Sequence, residues 1–324
     1  MRRRALLLSS LTALPIHRTH AQGTAGAAAW PTRPVRLVVP FPPGGSADAL
    51  ARRLAERMTG TLGQPVLVEN RPGAGGTIGA DFVAKASPDG QTLGISSLAA
   101  HAVGPAVYAS VAYHPVRDFT HIALLGEFPL TLAVSGNGPY HDLAALLTAA
   151  REKPGMVRVG TPGNGTASQV SLEMLRRLTG VELAHVPFRS GGTAAIDTIA
   201  GRIEATMAGL GELGGNERLR LVGLAAPERL AGWPQAPTFR EQGTDFVATV
   251  WFGLCAPAGL PGGIADRLHG EAQAMLAQPE TAALVARLGS TPDRRLPRAE
   301  VAAFITAEAA RWGEVARAGG VRAE

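Results

Sequence analysis

The 324-residue chain has a single cysteine, Cys255. That excludes an intrachain disulfide framework and any cysteine-based metal site. The thiol, inside Trp251-Phe252-Gly253-Leu254-Cys255-Ala256-Pro257, reads as a small core residue. Charged residues make up only 18% of the chain and aromatics 5%, against 46% hydrophobic, so the composition is globular rather than disordered. No apolar run reaches about 18 residues, which excludes a membrane-spanning helix. No basic run is interleaved with aromatics, so nothing points to nucleic acid.

Catalytic signatures are missing too. There is no Gly-x-Ser-x-Gly elbow and no His-Glu-x-x-His pair. The glycine turns at 43–48 and 161–166 lack the lysine that a phosphate loop needs. Gly163-x-Gly165 lacks the third glycine of a dinucleotide fingerprint. His101, His114, His121, His141 and His185 have no metal spacing and read as solvated or core histidines. Arg71 and Arg189 border glycine turns, where either contact with a carboxylate or simple solvation fits. No cofactor and no metal are expected.

What is present begins with Met1-Arg2-Arg3-Arg4 and the short apolar stretch Ala5–Ile16. This is the layout of a secretory signal over 1–21, ending at the small-residue site Thr19-His20-Ala21, with 22–30 as a flexible segment after it. Residues 1–21 hold 4 of the 31 basic residues; the remaining 27 face 26 acidic ones, a net of +1. The mature chain is therefore far less basic than the whole-chain pI of about 10.1 implies.

The repeated unit is strand, Pro/Gly turn, helix. Val35–Val39 reads as a buried parallel strand, nearly unbroken in its apolar character. Pro42-Pro43 cannot continue it, and Gly44-Gly45 remove side chains where the chain turns into a helix at Ser46. Such a turn leaves helix N-terminal N–H groups facing open space, an anion site in outline. Similar turns recur at 73–78, 161–168 and 190–194. Further strands are expected at 66–69, 93–97, 157–161, 183–188, 203–207, 219–224 and 246–254, and helices at 264–277, 280–288 and 298–318. The apolar stretch 122–134, interrupted at Gly126 and Pro129, reads as two strand pieces crossing between domains. The expectation is two βα domains, each aiming two helix N-termini at a shared cleft by the carboxyl ends of the strands.

Six blocks occur in order: Val-Pro-Phe-Pro-Pro-Gly-Gly-Ser-Ala-Asp (39–48), Val-Glu-Asn-Arg-Pro-Gly-Ala-Gly-Gly-Thr-Ile-Gly-Ala (68–80), Ser-Pro-Asp-Gly (87–90), Gly-Asn-Gly-Thr (163–166), His-Val-Pro-Phe-Arg (185–189) and Trp-Phe-Gly-Leu-Cys-Ala-Pro-Ala-Gly (251–259). From residue 31 to the end, the chain resembles the Bug-type extracytoplasmic solute receptors of tripartite tricarboxylate transporters. The resemblance implies an α/β, type II periplasmic binding-protein fold, with domain 1 from 31–127 and 249–324 and domain 2 from 128–248. It implies a monomeric, non-enzymatic periplasmic protein that closes on a small di- or tricarboxylate or related acid and delivers it to membrane permease subunits. Carried over residue by residue, the ligand contacts are Phe41, Pro43, Gly44, Gly45, Ser46, Gly75, Gly76, Thr77 and Ser97 in the first domain. In the second they are Thr161, Gly165, Thr166, Phe188 and Ser190. Asp48 is expected to organise the first turn rather than to touch the anion.

The chain departs from the family pattern at Gln91, where an aromatic is usual, and at Gln169, where a histidine is common. The segment 206–216 is shorter and richer in glycine than its counterpart. The second-domain wall is therefore altered, and the sequence leaves the acid unnamed. Two other readings stay open: a ligand-loaded receptor that docks on a sensor protein, and an enzyme on a similar scaffold.

Overall fold

A computed structural model describes residues 30–290 and 295–322. The expected signal segment 1–21 and nearly all of 22–30 lie outside the described residues.

Val35–Val39 forms β1, with every residue but Arg36 buried. Ser46–Leu62 forms α1, whose buried Leu50, Ala51, Leu54, Ala55 and Met58 follow helical spacing, and Gly63 ends it in the left-handed conformation. Val66–Asn70 is β2, Thr77–Ala84 is α2 and Thr92–Ser97 is β3. A π-helical turn at Ala99–Val103 runs into α3, Gly104–Val107. The long β4 covers Phe119–Ser135. The second βα set follows: α4 (Leu143–Glu152), β5 (Val157–Thr161), α5 (Ala167–Thr179), β6 (Leu183–Pro187), α6 (Gly191–Ile199), β7 (Ala205–Gly209), α7 (Leu210–Leu213) and β8 (Leu219–Leu224). β9 (Thr249–Pro257) returns the chain, and α8 (Gly262–Leu276), α9 (Pro279–Arg287) and α10 (Arg298–Ala318) close it.

The strand order is β2-β1-β3-β9-β4-β7-β5-β6, with β8 also on β4. β1 runs parallel to β2 and β3, and β5 runs parallel to β6 and β7. β9 is antiparallel to β3 and to residues 119–129 of β4, while β7 and β8 pair with residues 130–135. One strand thus belongs to both lobes. At the join, the Leu130 N–H donates to Ala248 O at 2.9 Å, and Leu130 O accepts from the Ala225 N–H at 2.8 Å. α10 lies across the join, packing on β4, on α3 of the first lobe and on α5 of the second. Phe304 of α10 sits edge-on to the fully buried Trp251, centroids 5.6 Å apart.

Two expectations change. The stretch 122–134 is not two pieces but part of one strand. Register shifts between His121 and Ala123, and between Leu124 and Gly126, absorb the irregularity at Gly126, where φ is 158°. Pro129 falls at the last β9 pair, where the ladder partner changes and a missing N–H matters least. The helical stretch 99–107 is absent from the sequence reading because it has no polar face to set a period: Ala99 through Gly104 are all buried. Cys255 is buried, as expected, with Sγ 3.4 Å from Gly94 O, and burial pushes its pKa up.

Candidate functional site

Turns at the carboxyl ends of β1, β2, β5 and β6 come together between the lobes. A methyl placed on Gly75 would lie 3.3 Å from Gly165 O and 3.2 Å from the Tyr108 ring. One on Gly211, in α7, would lie 3.0 Å from Ser46 Oγ and 3.0 Å from the Leu288 side chain. The Tyr108 hydroxyl donates to Asn164 O at 2.9 Å, tying the first lobe to the second. The lobes are in contact on both sides of the turns. Tyr108 and Leu288 carry no motif, and Asn164, though inside the Gly-Asn-Gly-Thr block, is not among the expected contacts.

The first turn is held from behind by Asp48. Its carboxylate accepts from the Gly44 N–H at 3.0 Å, from Arg52 at 2.8 and 3.1 Å and from Asn70 Nδ2 at 2.9 Å. Asn70 Nδ2 also donates to Phe41 O at 3.1 Å, so one buried carboxylate fixes both ends of the turn. Burial alone raises the Asp48 pKa, but Arg52 and the Gly44 and Asn70 donors outweigh it and hold the carboxyl below its usual value. The organising role expected of Asp48 is what its contacts describe.

The α1 N-terminus itself carries no cap. Gly45 at the N-cap position has φ −84° and ψ 176°, the extended conformation normal there, and no side chain bonds the free N–H groups of the first turn. α2 also starts from a glycine, Gly76, without a side-chain cap. Phe41 lies beside this pair: its ring is 3.4 Å from a methyl on Gly76 and stacks edge-on with Phe252 at 5.9 Å, and Phe252 meets Phe128 at 5.8 Å. Phe252 and Phe128 add an aromatic row that the sequence reading did not assign to the site.

The second lobe differs. Thr166 caps α5 by accepting from the Gln169 N–H, and Gln169 Oε1 accepts from the Gly165 N–H at 2.6 Å. Thr166 Oγ1 donates to Gly163 O at 2.8 Å. Buried Thr161 pairs its Oγ1 with His185 Nε2 at 2.7 Å. Ser190 and Thr193 form a capping box on α6. Glu212 of α7 accepts from the Gly191 N–H at 2.9 Å. Burial among the surrounding groups raises the Glu212 pKa against the Gly191 donor that lowers it. Glu212 as a whole residue is exposed, while its carboxylate packs against the start of α6.

The remaining expected contacts are placed as follows. Thr77 is buried, and its hydroxyl donates to Ala74 O at 2.9 Å. Ser97 is buried, and its Oγ accepts from the Ala100 N–H at 3.1 Å. Phe188 is half-buried under β5, 3.0 Å from a methyl on Gly160. Pro43 is exposed on the first turn. Arg71 is engaged with Glu69 at 2.5 Å and lies 3.7 Å over the Phe82 ring, and Arg189 is exposed. Among the described residues no group of three or more His, Cys, Asp or Glu is placed to hold a metal. A depression of about 530 Å³ around Val111–Asp118 reaches Tyr108, whose hydroxyl meets Asn164 of the second-lobe turn. It is open to solvent, and the Asp118 carboxylate on its rim is taken up by the His114 N–H and Arg117.

Residues 50–321 match the family model of the tripartite tricarboxylate transporter family receptor. Among solved structures, Rpa4515 of R. palustris with adipate superposes with a TM-score of 0.84 at 31% identity, covering 90% of this chain and 99% of that one. MatC (Rpa3494) from Rhodopseudomonas palustris with bound malate gives 0.80 at 33% identity, over 88% of this chain and 99% of that one. The periplasmic binding protein BugD gives 0.81 at 29% identity, over 91% and 100%. These neighbours share the two-lobed α/β periplasmic binding-protein architecture described above. The chain belongs to the tripartite tricarboxylate transporter receptor family, whose members include the Bug proteins.

Proposed function

We propose that this protein is an exported, periplasmic solute receptor. It captures a small organic carboxylate by closing its two lobes and hands it to separate permease subunits in the membrane. The observation that carries the reading is the uncapped N-terminus of α1, where free N–H groups behind Gly44 and Gly45 face the opposite lobe across Ser46. Backbone dipoles stabilise a carboxylate without adding full positive charges that would need partners of their own. The adipate and malate held by Rpa4515 and MatC support a carboxylate ligand. The secretory layout of residues 1–21 and the periplasmic neighbour BugD support the location.

On this reading Phe41–Ser46 and Gly75–Thr77 form the anion-holding jaw, and the turns at 161–166 and 188–190 line the opposite wall. Closure turns about 125–131 and 246–252, where β4 and the return strand pass between the domains 31–127 with 249–324 and 128–248. The closed shape is what the permease reads. The protein binds and does not turn its ligand over.

Thermal melts against mono-, di- and tricarboxylates test this. A ligand at about 100 times its Kd adds about 2.7 kcal/mol, a shift of several degrees. A panel that produces no shift with any carboxylate overturns the reading.

A further inference from the structure

We infer that Tyr108 is a closure latch: its ring and hydroxyl hold the two lobes together, and so set the affinity for every ligand without touching any of them. This rests on the receptor reading above and adds the residue that governs how tightly the cleft shuts.

Tyr108 is the C-terminal cap of α3 in the first lobe. Its N–H donates to Gly104 O at 3.0 Å, and with φ −94° and ψ 129° the chain leaves the helix extended. The ring lies against one glycine turn from each lobe. A methyl on Gly75 would be 3.2 Å from Tyr108 Cε2, and one on Gly165 would be 2.6 Å from both Cζ and the hydroxyl oxygen. The same Gly75 methyl would be 3.3 Å from Gly165 O. Ring and turns thus meet at one point, with no room for a side chain on either glycine. At φ +62° and +69° the backbone disfavours one there as well.

The hydroxyl donates to Asn164 O at 2.9 Å. That carbonyl belongs to a turn braced on both sides. Gln169 accepts from the Gly165 N–H at 2.6 Å, and Thr166 donates to Gly163 O at 2.8 Å. The second lobe alone therefore fixes the acceptor. Every partner of the latch is a protein group, so it adds the same increment to the closed form whatever acid lies inside. When the lobes part, the solvent-open depression lined by Pro105, Tyr108 and Val111 lets water take the hydroxyl. Opening exchanges one hydrogen bond for another, which keeps the increment small and closure reversible. A contact made only after the lobes meet slows ligand release and leaves capture unchanged.

Tyr108→Phe keeps the ring and removes the hydroxyl. The test measures association and dissociation rates of succinate, malate, adipate and citrate on the wild type and on this variant, with small-angle X-ray scattering of both proteins free of ligand. Where the free wild type is open, Tyr108→Phe should raise the dissociation rate about two- to tenfold, by the same factor for each acid that binds, with association unchanged. Where scattering shows the free wild type already closed, the variant should instead be measurably more open. Tyr108→Ala should move the same readout further. No change in either readout overturns the latch and leaves the receptor reading standing. A factor that differs widely between acids overturns it too, because Tyr108 then touches the ligand. If none of the acids binds the wild type, both readings fall.

Discussion

Substituting Gly45→Asp should make the protein more stable and unable to bind its ligand. Gly45 already has N-cap geometry, and a Cβ added there meets nothing within 4 Å. Its carboxylate would accept from the N–H groups of the first turn of α1, the same donors assigned to the ligand. Replacing glycine by aspartate at an N-cap adds a few tenths of a kcal/mol. The favourable end of the helix dipole brings the total to about 0.5–1 kcal/mol. In the wild type, ligand at about 100 times its Kd contributes about 2.7 kcal/mol. At about 2–4 °C per kcal/mol that is a shift of about 5–10 °C. In Gly45→Asp a tethered anion fills the site and repels a second one. With affinity reduced about a hundredfold, the same ligand concentration adds only about 0.4 kcal/mol, or about 1 °C. Gly45→Ala, which leaves the donors free, should keep the shift. The assay is a thermal melt of the three proteins with and without ligand. A full shift in Gly45→Asp would refute the reasoning, and so would a loss of unliganded stability.

Three further outcomes follow from the same contacts. Asp48→Ala removes the acceptor shared by Gly44, Arg52 and Asn70, and because Arg52 is itself exposed, the cost should be about 2–3 kcal/mol in urea unfolding, accompanied by weaker ligand binding. Gly165→Ala puts a methyl 2.6 Å from the Tyr108 ring at φ +69°, so closure should fail and affinity fall about tenfold or more, while the double variant with Tyr108→Ala recovers part of the loss; an unchanged affinity in the single variant contradicts the closed geometry. Stability should also fall in acid. Burial depresses the pKa of His121 to about 4, and the neighbouring His101 is depressed in the same direction by burial and by His121, so the unfolded chain binds protons that the folded one refuses. The stabilisation is complete above about pH 6.5 and is lost as pH drops toward 4. His121 alone accounts for about 2 kcal/mol between pH 8 and pH 5. Urea midpoints that do not move over that range contradict this.

Most of the architecture could be read from the chain because its signals are local. The β1 run, the Pro/Gly turns and the helix starts each follow from neighbouring residues, and the order of βα units implies the parallel sheets. The continuity of β4 was not legible. Whether Gly126 and Pro129 break a strand or sit at its bulge and partner change depends on β9, more than 100 residues away. The helical stretch at 99–107 was invisible for a related reason, since burial on every side removes the periodicity that marks a helix. At the site, the turns were legible as glycine and proline patterns, but the fate of their N–H groups was not. Gln169 stands out in sequence only as a departure from the family pattern and Glu212 only as part of the altered 206–216 segment, and the fold alone brings them onto Gly165 and Gly191. Tyr108 likewise becomes a link between the lobes only once Asn164 is placed against it.

The most direct test of the central claim is a crystal structure with a bound carboxylate. The account predicts carboxylate oxygens about 2.9 Å from backbone N–H groups at the start of α1, at Ser46 or Ala47, with the lobes closed over them. A carboxylate held instead by the α5 or α6 N-terminus or by an arginine side chain, with the α1 end bound only to water, would contradict it.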